Sequence, residues 1–147
     1  MSIIFKKLNP KDIDKNEWIE ASKDIYGIKY RDKLINTLNS IDLNNFPVTF
    51  IYGYNYEQTE VVCRCLISIT NHIYGFIVDE KYRGKGYGKE TLDFIINECN
   101  INNLNISLDT INLNMKALAE SRGFELVSVG KDTTTLTKDY RMVKKIR

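Results

Sequence analysis

The chain has 147 residues, of which 43% are hydrophobic and 27% are charged, and its formal net charge is +2. This length suits one domain with a substantial core, so we predict a single domain over residues 1–147. The small net charge argues against nucleic acid as the main partner. Because no apolar run reaches membrane-spanning length and the N-terminal run is too short for a signal peptide, we predict a cytoplasmic protein without a membrane partner.

The three cysteines and the single histidine give little support for a metal site. Cys63 and Cys65 lie two residues apart in a strand-like run, a spacing unlike that of common zinc sites, and Cys99 ends a helix-like run. Neither Cys63 nor Cys65 combines a cluster of cations with a helix N-terminus, the surroundings that would activate a thiolate. We therefore predict three small buried side chains and no bound metal.

The first half of the chain predicts one strand, two helices and two further strands. The strand Ile3–Leu8 precedes a helix that we expect to begin at Asn9, with a proline at its first helical position, and to end at Gly27. A second helix is predicted over Lys29–Ser40. Alternating apolar residues then predict strands over Val48–Tyr54 and Glu60–Ile69, which form the start of an antiparallel meander.

The second half predicts a buried strand, followed by helices and strands in alternation. The predicted elements are a strand at His72–Val78, a helix at Gly88–Asn100, a strand at Asn103–Leu108, a helix at Asn112–Arg122, and a hairpin of Phe124–Val129 and Thr135–Lys145 around Gly130–Asp132. A strand, helix and strand in this order imply a right-handed crossover and parallel pairing. We therefore predict the α/β (α+β) class, with a mixed, mostly antiparallel sheet of about seven strands flanked by about four helices in the order β-αα-βββ-α-β-α-ββ.

The most informative stretch is the glycine-rich turn Arg83–Lys89, Arg-Gly-Lys-Gly-Tyr-Gly-Lys, between the buried strand and the first helix of the second half. Glycines let a backbone curl with its N–H groups inward, and the N-terminus of a helix adds free N–H groups and a positive dipole end. Lys81, Arg83, Lys85 and Lys89 add positive charge. The pattern predicts a phosphate-binding turn, and the alternative is a plain strand-to-helix connection.

Two motifs of the sequence resemble those of the GNAT superfamily of N-acetyltransferases. Arg83-x-x-Gly86-x-Gly88 is similar to the superfamily's pyrophosphate motif, and Asn112 leads a predicted helix that ends in Gly123-Phe124, as in its second motif. The predicted order of elements also resembles that of the superfamily over nearly the whole chain. The resemblance implies the GNAT fold and acetyl-CoA as the co-substrate.

The resemblance also implies which residues contact the cofactor. The pyrophosphate would be held by Arg83 and by the backbone N–H groups of Gly84, Lys85, Gly86, Tyr87, Gly88 and Lys89. The pantetheine arm would pair with the strand at Phe76, Ile77 and Val78, and Asn112 would hydrogen-bond the arm from the other side. A freed N–H near Ile77 or Val78 would stabilise the oxyanion.

The groups that move protons are less clearly indicated. Family members often protonate the leaving thiolate with a tyrosine, and the corresponding residue of this chain is Ala119. Tyr74, Tyr140 and a water are the candidate substitutes. His72, at the start of the central strand, is the candidate base because its ordinary pKa of about 6.5 suits the task. Asp109 is a weaker candidate, since it could equally cap the turn into the next helix.

We therefore predict an N-acetyltransferase in which a primary amine, on a small molecule or a protein, attacks acetyl-CoA directly in a ternary complex. The alternative is a catalytically degenerate module that senses CoA or acyl-CoA, and a nucleic-acid patch around Tyr82 and Tyr87 is a third interpretation. Tyr26, Tyr30 and residues 130–134 are the expected walls of the acceptor site. The oligomeric state is left open, with a homodimer as one option.

Overall fold

A computed structural model of the chain describes residues 3–9, 12–14, 16–18, 20, 48–99, 103–132 and 137–146. The described strands are β1 (Ile4–Leu8), β2 (Val48–Tyr54), β3 (Val61–Ser68), β4 (His72–Val78), β5 (Ile106–Thr110), β6 (Glu125–Asp132) and β7 (Thr137–Lys144). The described helices are α1 (Tyr87–Cys99), α2 (Leu113–Ser121) and a 3₁₀ turn (Glu80–Tyr82). None of these helices is long and apolar enough to span a membrane.

The seven strands form one sheet in the order β1-β2-β3-β4-β5-β7-β6. All neighbouring pairs are antiparallel except β4 and β5, which are parallel and are connected through α1. A parallel pair needs a crossover connection, and α1 supplies it. The prediction of a mixed, mostly antiparallel sheet is therefore confirmed.

Hydrophobic side chains cover both faces of the sheet. On one face, α1 and α2 bury an apolar stripe against the central strands, with Leu92, Ile95 and Ile106 completely inaccessible to solvent. On the other face, Trp18 lies in a second cluster with Phe50. β3 is buried on both faces from Val62 to Ile67, and its sequence there is accordingly apolar apart from Arg64.

The start of the first helix lies later in the chain than predicted. The described helical residues are 16–18 and 20, and the side chain of Asp14 accepts hydrogen bonds from the backbone N–H groups of Asn16 and Glu17. Asp14 therefore acts as the cap, while Asn9 accepts the turn bond from the N–H of Asp12 through its carbonyl group. The predicted helix over Lys29–Ser40 lies outside the described residues.

Two strand boundaries in the second half also differ from the predictions. β5 begins at Ile106 instead of Asn103, because Asn103 adopts a φ of 59° and belongs to a turn. β6 continues through Gly130 to Asp132, where it pairs with Thr137 of β7, so the hairpin does not turn at residues 130–132 as predicted. The connection lies in residues 133–136, outside the described residues.

All three cysteines are buried and free, as predicted. Cys65 and Cys99 belong to the core beneath α1, and the Sγ of Cys63 lies 3.0 Å from the Oγ1 of Thr91. Burial raises the pKa of the Cys63 and Cys99 thiols to about 11, and it also raises the pKa of the Cys65 thiol well above its ordinary value. These side chains therefore act as small hydrophobic residues.

Candidate active site

The turn between β4 and α1 presents a row of backbone donors. No described residue accepts a hydrogen bond from the backbone N–H groups of residues 84–89. Gly84 and Gly86 have φ angles of 75° and 85°, and a Cβ atom added to either would meet nothing within 4 Å. The left-handed conformation favours glycine at both positions, and the space on their Cβ side is open. This geometry suits an anion held by main-chain groups.

The cations around the turn differ in whether other groups of the protein already bind them. The Nζ of Lys81 lies 2.7 Å from a carboxylate oxygen of Glu60 on the surface. Arg83 donates from Nε to the backbone carbonyl of Val78 at 2.9 Å, which fixes the guanidinium across the turn. Lys85 and Lys89 are exposed and form no ion pair with any described residue. Arg83, Lys85 and Lys89 thus remain available to an anion, whereas Lys81 pairs with Glu60.

The parallel strands β4 and β5 pair only at their beginnings. His72 lies opposite Ser107 and Ile73 opposite Leu108, and no further pair follows although β4 continues to Val78. The main chain of Tyr74, Ile77 and Val78 therefore has no strand partner on the β5 side within the described sheet. An extended, amide-bearing ligand could complete the pairing there.

A bulge marks the point where the two strands separate. Arg64 of β3 pairs with Ile77 of β4, and Leu66 of β3 pairs with Tyr74. One residue of β3 therefore lies opposite two residues of β4, so β4 carries one extra residue. Gly75 has a φ of 58° and packs directly against the indole ring of Trp18. Bulges re-aim the residues that follow them, here Phe76, Ile77 and Val78. Ile77 is buried in the same hydrophobic cluster as Trp18, whereas Phe76 packs against the core on the face that carries α1 and α2.

Helix α2 packs close to the start of α1, since a Cβ added to Gly88 would lie 3.6 Å from the Leu118 side chain. Asn112 is its cap, and the side-chain oxygen accepts hydrogen bonds from the N–H groups of Asn114 and Met115. The oxygen is therefore committed to the helix, and the Nδ2 of Asn112 is the part of this exposed side chain left for a ligand. Ala119, which as an alanine has no hydroxyl, is 0% exposed within the core.

The candidate base, His72, lies in a polar cluster on the opposite face of the sheet from α1. Its Nδ1 is 2.6 Å from the Oγ of Ser107, and its Nε2 is 3.5 Å from an oxygen of Asp109. Partial burial lowers the pKa of His72, and Arg141 lowers it further, while the Asp109 carboxylate partly opposes this shift. The neutral imidazole is therefore favoured at physiological pH.

The two candidate tyrosines lie on different faces of the sheet. The ring of Tyr74 packs 4.4 Å from that of His72, measured between centroids, and its side chain is exposed. Tyr140 packs against the core on the face that carries α1 and α2, with the Nζ of Lys116 5.4 Å from its ring centroid. The structure thus brings Tyr74 together with His72 and separates Tyr140 from both. The expected acceptor walls Tyr26, Tyr30 and residues 133–134 lie outside the described residues.

Sequence reasoning missed two parts of this region. One is the pair formed by Arg141 and Asp109, in which the Nε and Nη2 of Arg141 each lie 2.8 Å from a carboxylate oxygen. The other is Arg64, which is 1% exposed and pairs with Glu17 and, at 2.6 Å, with Asp79. The sequence signal for Arg64 is a charged residue within an otherwise apolar strand. The pairing of Asp109 with Arg141 has no such signal, because it depends on the order of the strands in the sheet.

Comparisons with solved structures define the class of the fold. The chain resembles an acetyltransferase of the GNAT family from Staphylococcus aureus, with 21% identity, coverage of 99% and 100% of the two chains, and a TM-score of 0.71. It also resembles Arabidopsis thaliana NAA60, with 15% identity, coverage of 97% of each chain and a TM-score of 0.72. A third similar structure is a chimera of spermidine N-acetyltransferase SpeG from Vibrio cholerae with hSSAT, with 16% identity, coverage of 99% and 96% of the two chains, and a TM-score of 0.73. At these identities the likeness concerns the fold.

A family model identifies the chain itself. Residues 11–124 match the Acetyltransferase (GNAT) family, and the chain therefore belongs to this family. No curated protein matches the chain by sequence. The described residues contain no cluster of His, Cys, Asp and Glu side chains that could hold a metal ion.

Members of the family use acetyl-CoA, and the residues of this chain fit its pyrophosphate. The backbone N–H groups of residues 84–89 find no acceptor among the described residues, and Gly84 and Gly86 leave the space beside them open. Lys85 and Lys89 supply unpaired positive charge at the same turn. The donors, the space and the charge are the three requirements for a bound pyrophosphate.

Proposed function

We propose that the protein is an acetyl-CoA-dependent N-acetyltransferase that transfers the acetyl group directly to a primary amine. The observation that carries this proposal is the separation of β4 from β5 beside the open turn at residues 84–89. A free strand edge and a phosphate cradle at one end of it match the two halves of coenzyme A. Family membership supports the same conclusion.

The proposed contacts follow the length of the cofactor. The N–H groups of residues 84–89 and the side chain of Arg83 bind the pyrophosphate. The edge of β4 at Ile77 and Val78 hydrogen-bonds the amides of the pantetheine arm, and the Nδ2 of Asn112 donates to the arm from α2. One N–H near Ile77 or Val78 stabilises the negative charge that develops on the carbonyl oxygen.

Proton transfer in this proposal depends on His72. As the amine nitrogen bonds to the acyl carbon and the carbon–sulfur bond breaks, the nitrogen gives up one proton to the neutral imidazole. The imidazolium then returns the proton to solvent, and the departing thiolate takes one from solvent. With a thiol pKa of about 8.5, leaving as a thiolate at pH 7 costs only about 2 kcal/mol, so Ala119 does not prevent turnover. Tyr74 and Tyr140 remain candidate proton donors.

A panel of amines tests the proposal. We expect release of CoA thiol from acetyl-CoA with at least one acceptor among polyamines, amino acids, lysine side chains of peptides and peptide N-termini. Mass spectrometry of the product should show a gain of one acetyl group on nitrogen. The protein without an amine is the control for simple hydrolysis of the thioester.

The second candidate is a regulatory module that binds CoA or acyl-CoA without turnover. It is favoured by Ala119, which is buried and offers no acid at the position that commonly carries one. Tight binding of acetyl-CoA, measured by calorimetry, together with no thiol release from any amine of the panel would support this module and contradict the enzyme.

A further inference from the structure

Four polar side chains form a chain across three strands beside the gap between β4 and β5. His72 of β4 lies opposite Ser107 of β5, and Asp109 of β5 lies opposite Arg141 of β7. The contacts run from the Oγ of Ser107 to the Nδ1 of His72 at 2.6 Å, and from the Nε2 of His72 to Asp109 at 3.5 Å. Two bonds of 2.8 Å then join Asp109 to Arg141.

The two sides of the imidazole ring differ in their hydrogen bonding. At 2.6 Å the contact with Ser107 is a hydrogen bond, whereas 3.5 Å to the carboxylate is too long for a good one. A carboxylate only accepts, so an Nε2–H group would be drawn to within bonding distance of Asp109. The long separation therefore indicates that Nε2 carries a lone pair and that Nδ1–H donates to the Oγ of Ser107.

Arg141 explains how Asp109 can lie near the lone pair of Nε2 without drawing a proton onto that nitrogen. Both carboxylate oxygens accept hydrogen bonds from the guanidinium, whose positive charge offsets part of the negative charge facing His72. The described groups that face the imidazole are thus Tyr74 of β4, Ser107 and Asp109 of β5, and Arg141 of β7. If Nε2 accepts a proton, the positive charge of the imidazolium is attracted to the Asp109 carboxylate.

We propose that Ser107 and the pair of Asp109 and Arg141 are positioning residues, which hold His72 as the tautomer whose Nε2 accepts the proton of the acceptor amine. This inference rests on the proposed function in one respect, namely that the proton comes from an amine acceptor. The orientation and tautomer of the His72 ring do not depend on the identity of the substrate. The proton bound to Nδ1 stays on Nδ1 throughout, and only Nε2 gains and loses one.

The test uses the fact that His72 is the single histidine of the chain. In ¹⁵N NMR spectra of the imidazole, the wild-type protein at pH 7.5 should show Nδ1–H, although Nε2–H is the commoner tautomer of free histidine. Ser107→Ala should move the ring toward Nε2–H. Arg141→Gln should raise the pKa of His72 and Asp109→Asn should lower it, in line with the signs of their charges.

Kinetics supply the second readout. Ser107→Ala should lower kcat/KM roughly tenfold or more at neutral pH, part of the about 10²–10⁴-fold that a positioned base contributes, with less effect on the KM for acetyl-CoA. Ser107→Thr, which keeps the hydroxyl, is the matched control and should retain both the tautomer and most of the activity. A merely structural role for Ser107 would change neither the tautomer nor the pH dependence of the rate.

The outcomes separate this inference from the proposed function. An Nε2–H tautomer in the wild-type protein, or a tautomer unchanged by Ser107→Ala, would overturn the inference even if amines are acetylated. The expected tautomer with no turnover of any amine would overturn the proposed function and leave the assignment of the protonated nitrogen intact.

Discussion

His72 is a histidine that the surrounding structure keeps neutral. Burial within the sheet and the charge of Arg141 lower its pKa below the ordinary 6.5, although Asp109 partly opposes them. A base must be unprotonated to act, so the active form is populated above this lowered pKa and is lost as the pH falls through it. Physiological pH lies in the active range.

Replacing His72 should therefore change how the rate depends on pH. We expect His72→Ala to lower kcat/KM by about 10²–10⁴-fold near pH 7, because the alkylamine acceptor is then almost wholly protonated and needs a base. The loss should shrink as the pH rises toward the amine pKa, since free amine accumulates without help. Initial rates from pH 6 to 10 measure this.

Two results would bear on that expectation. Tyr74→Phe keeps the ring packed on His72 and removes only the hydroxyl, so it tests separately whether Tyr74 supplies a proton. A His72→Ala variant whose rate shows the same pH profile as the wild-type protein would remove His72 from the reaction.

At the scale of elements, the turn at residues 84–89 is built for an anion and tolerates little else. Gly86→Glu places a carboxylate in the open space beside the free N–H groups, so we expect it to abolish acetyl-CoA binding in calorimetry. Gly86→Ala is the control, because it imposes the same strain of about 1–2 kcal/mol at φ 85° without adding charge. Binding by Gly86→Glu with wild-type affinity would contradict the assigned cofactor site.

The conformation of the bulge in β4 depends on a single residue, Gly75. Gly75→Ala must adopt a φ of 58° and would place its Cβ 2.9 Å from Cζ2 of Trp18. We expect a loss of about 2–4 kcal/mol in the free energy of unfolding, from backbone strain together with overpacking. Urea denaturation measures it.

A matched substitution exists in the same sheet. Gly130 has no positive φ, and the nearest atom to an added Cβ is a carbonyl oxygen 3.9 Å away. Gly130→Ala should therefore change the free energy of unfolding by less than about 1 kcal/mol. Equal losses for the two variants would show that the bulge is not constrained as described.

The sequence predicted these elements to different degrees, for physical reasons. Hydrophobic periodicity located β2, β4 and α1 to within a residue because burial on the core fixes their spacing. It missed the bulge at Gly75, because one extra residue in an apolar strand leaves the composition unchanged. It also missed the pairing of Asp109 with Arg141, which lie 32 residues apart and meet only through the order of the sheet.

For the whole molecule, Arg64 joins three otherwise separate parts. Its guanidinium is buried in β3 and binds Glu17 of the N-terminal helical segment and Asp79 of the connection that leads to the glycine-rich turn. The two carboxylates are partly exposed, at 39% and 30%, whereas the Arg64 side chain is 1% exposed. The desolvation cost therefore falls mainly on the arginine.

This asymmetry predicts unequal costs of mutation. The double variant Glu17→Gln with Asp79→Asn should lose about 3–5 kcal/mol in the free energy of unfolding, because it leaves a buried charge without a partner. Arg64→Met should lose less, about 1–3 kcal/mol, because the released carboxylates can be hydrated. The triple variant should resemble Arg64→Met, and urea denaturation compares all three. A larger loss for Arg64→Met than for the double variant would contradict the assignment.

The burial of Cys63, Cys65 and Cys99 has a practical consequence for labelling chemistry. A disulfide reagent such as DTNB reacts with thiolates, and these thiols are both inaccessible and held protonated by their raised pKa values. The folded protein should therefore stay unlabelled at pH 8, whereas an unfolded chain exposes all three sulfurs. The rate of labelling in native buffer would thus report how often the sheet opens, residue by residue if the modified cysteines are mapped.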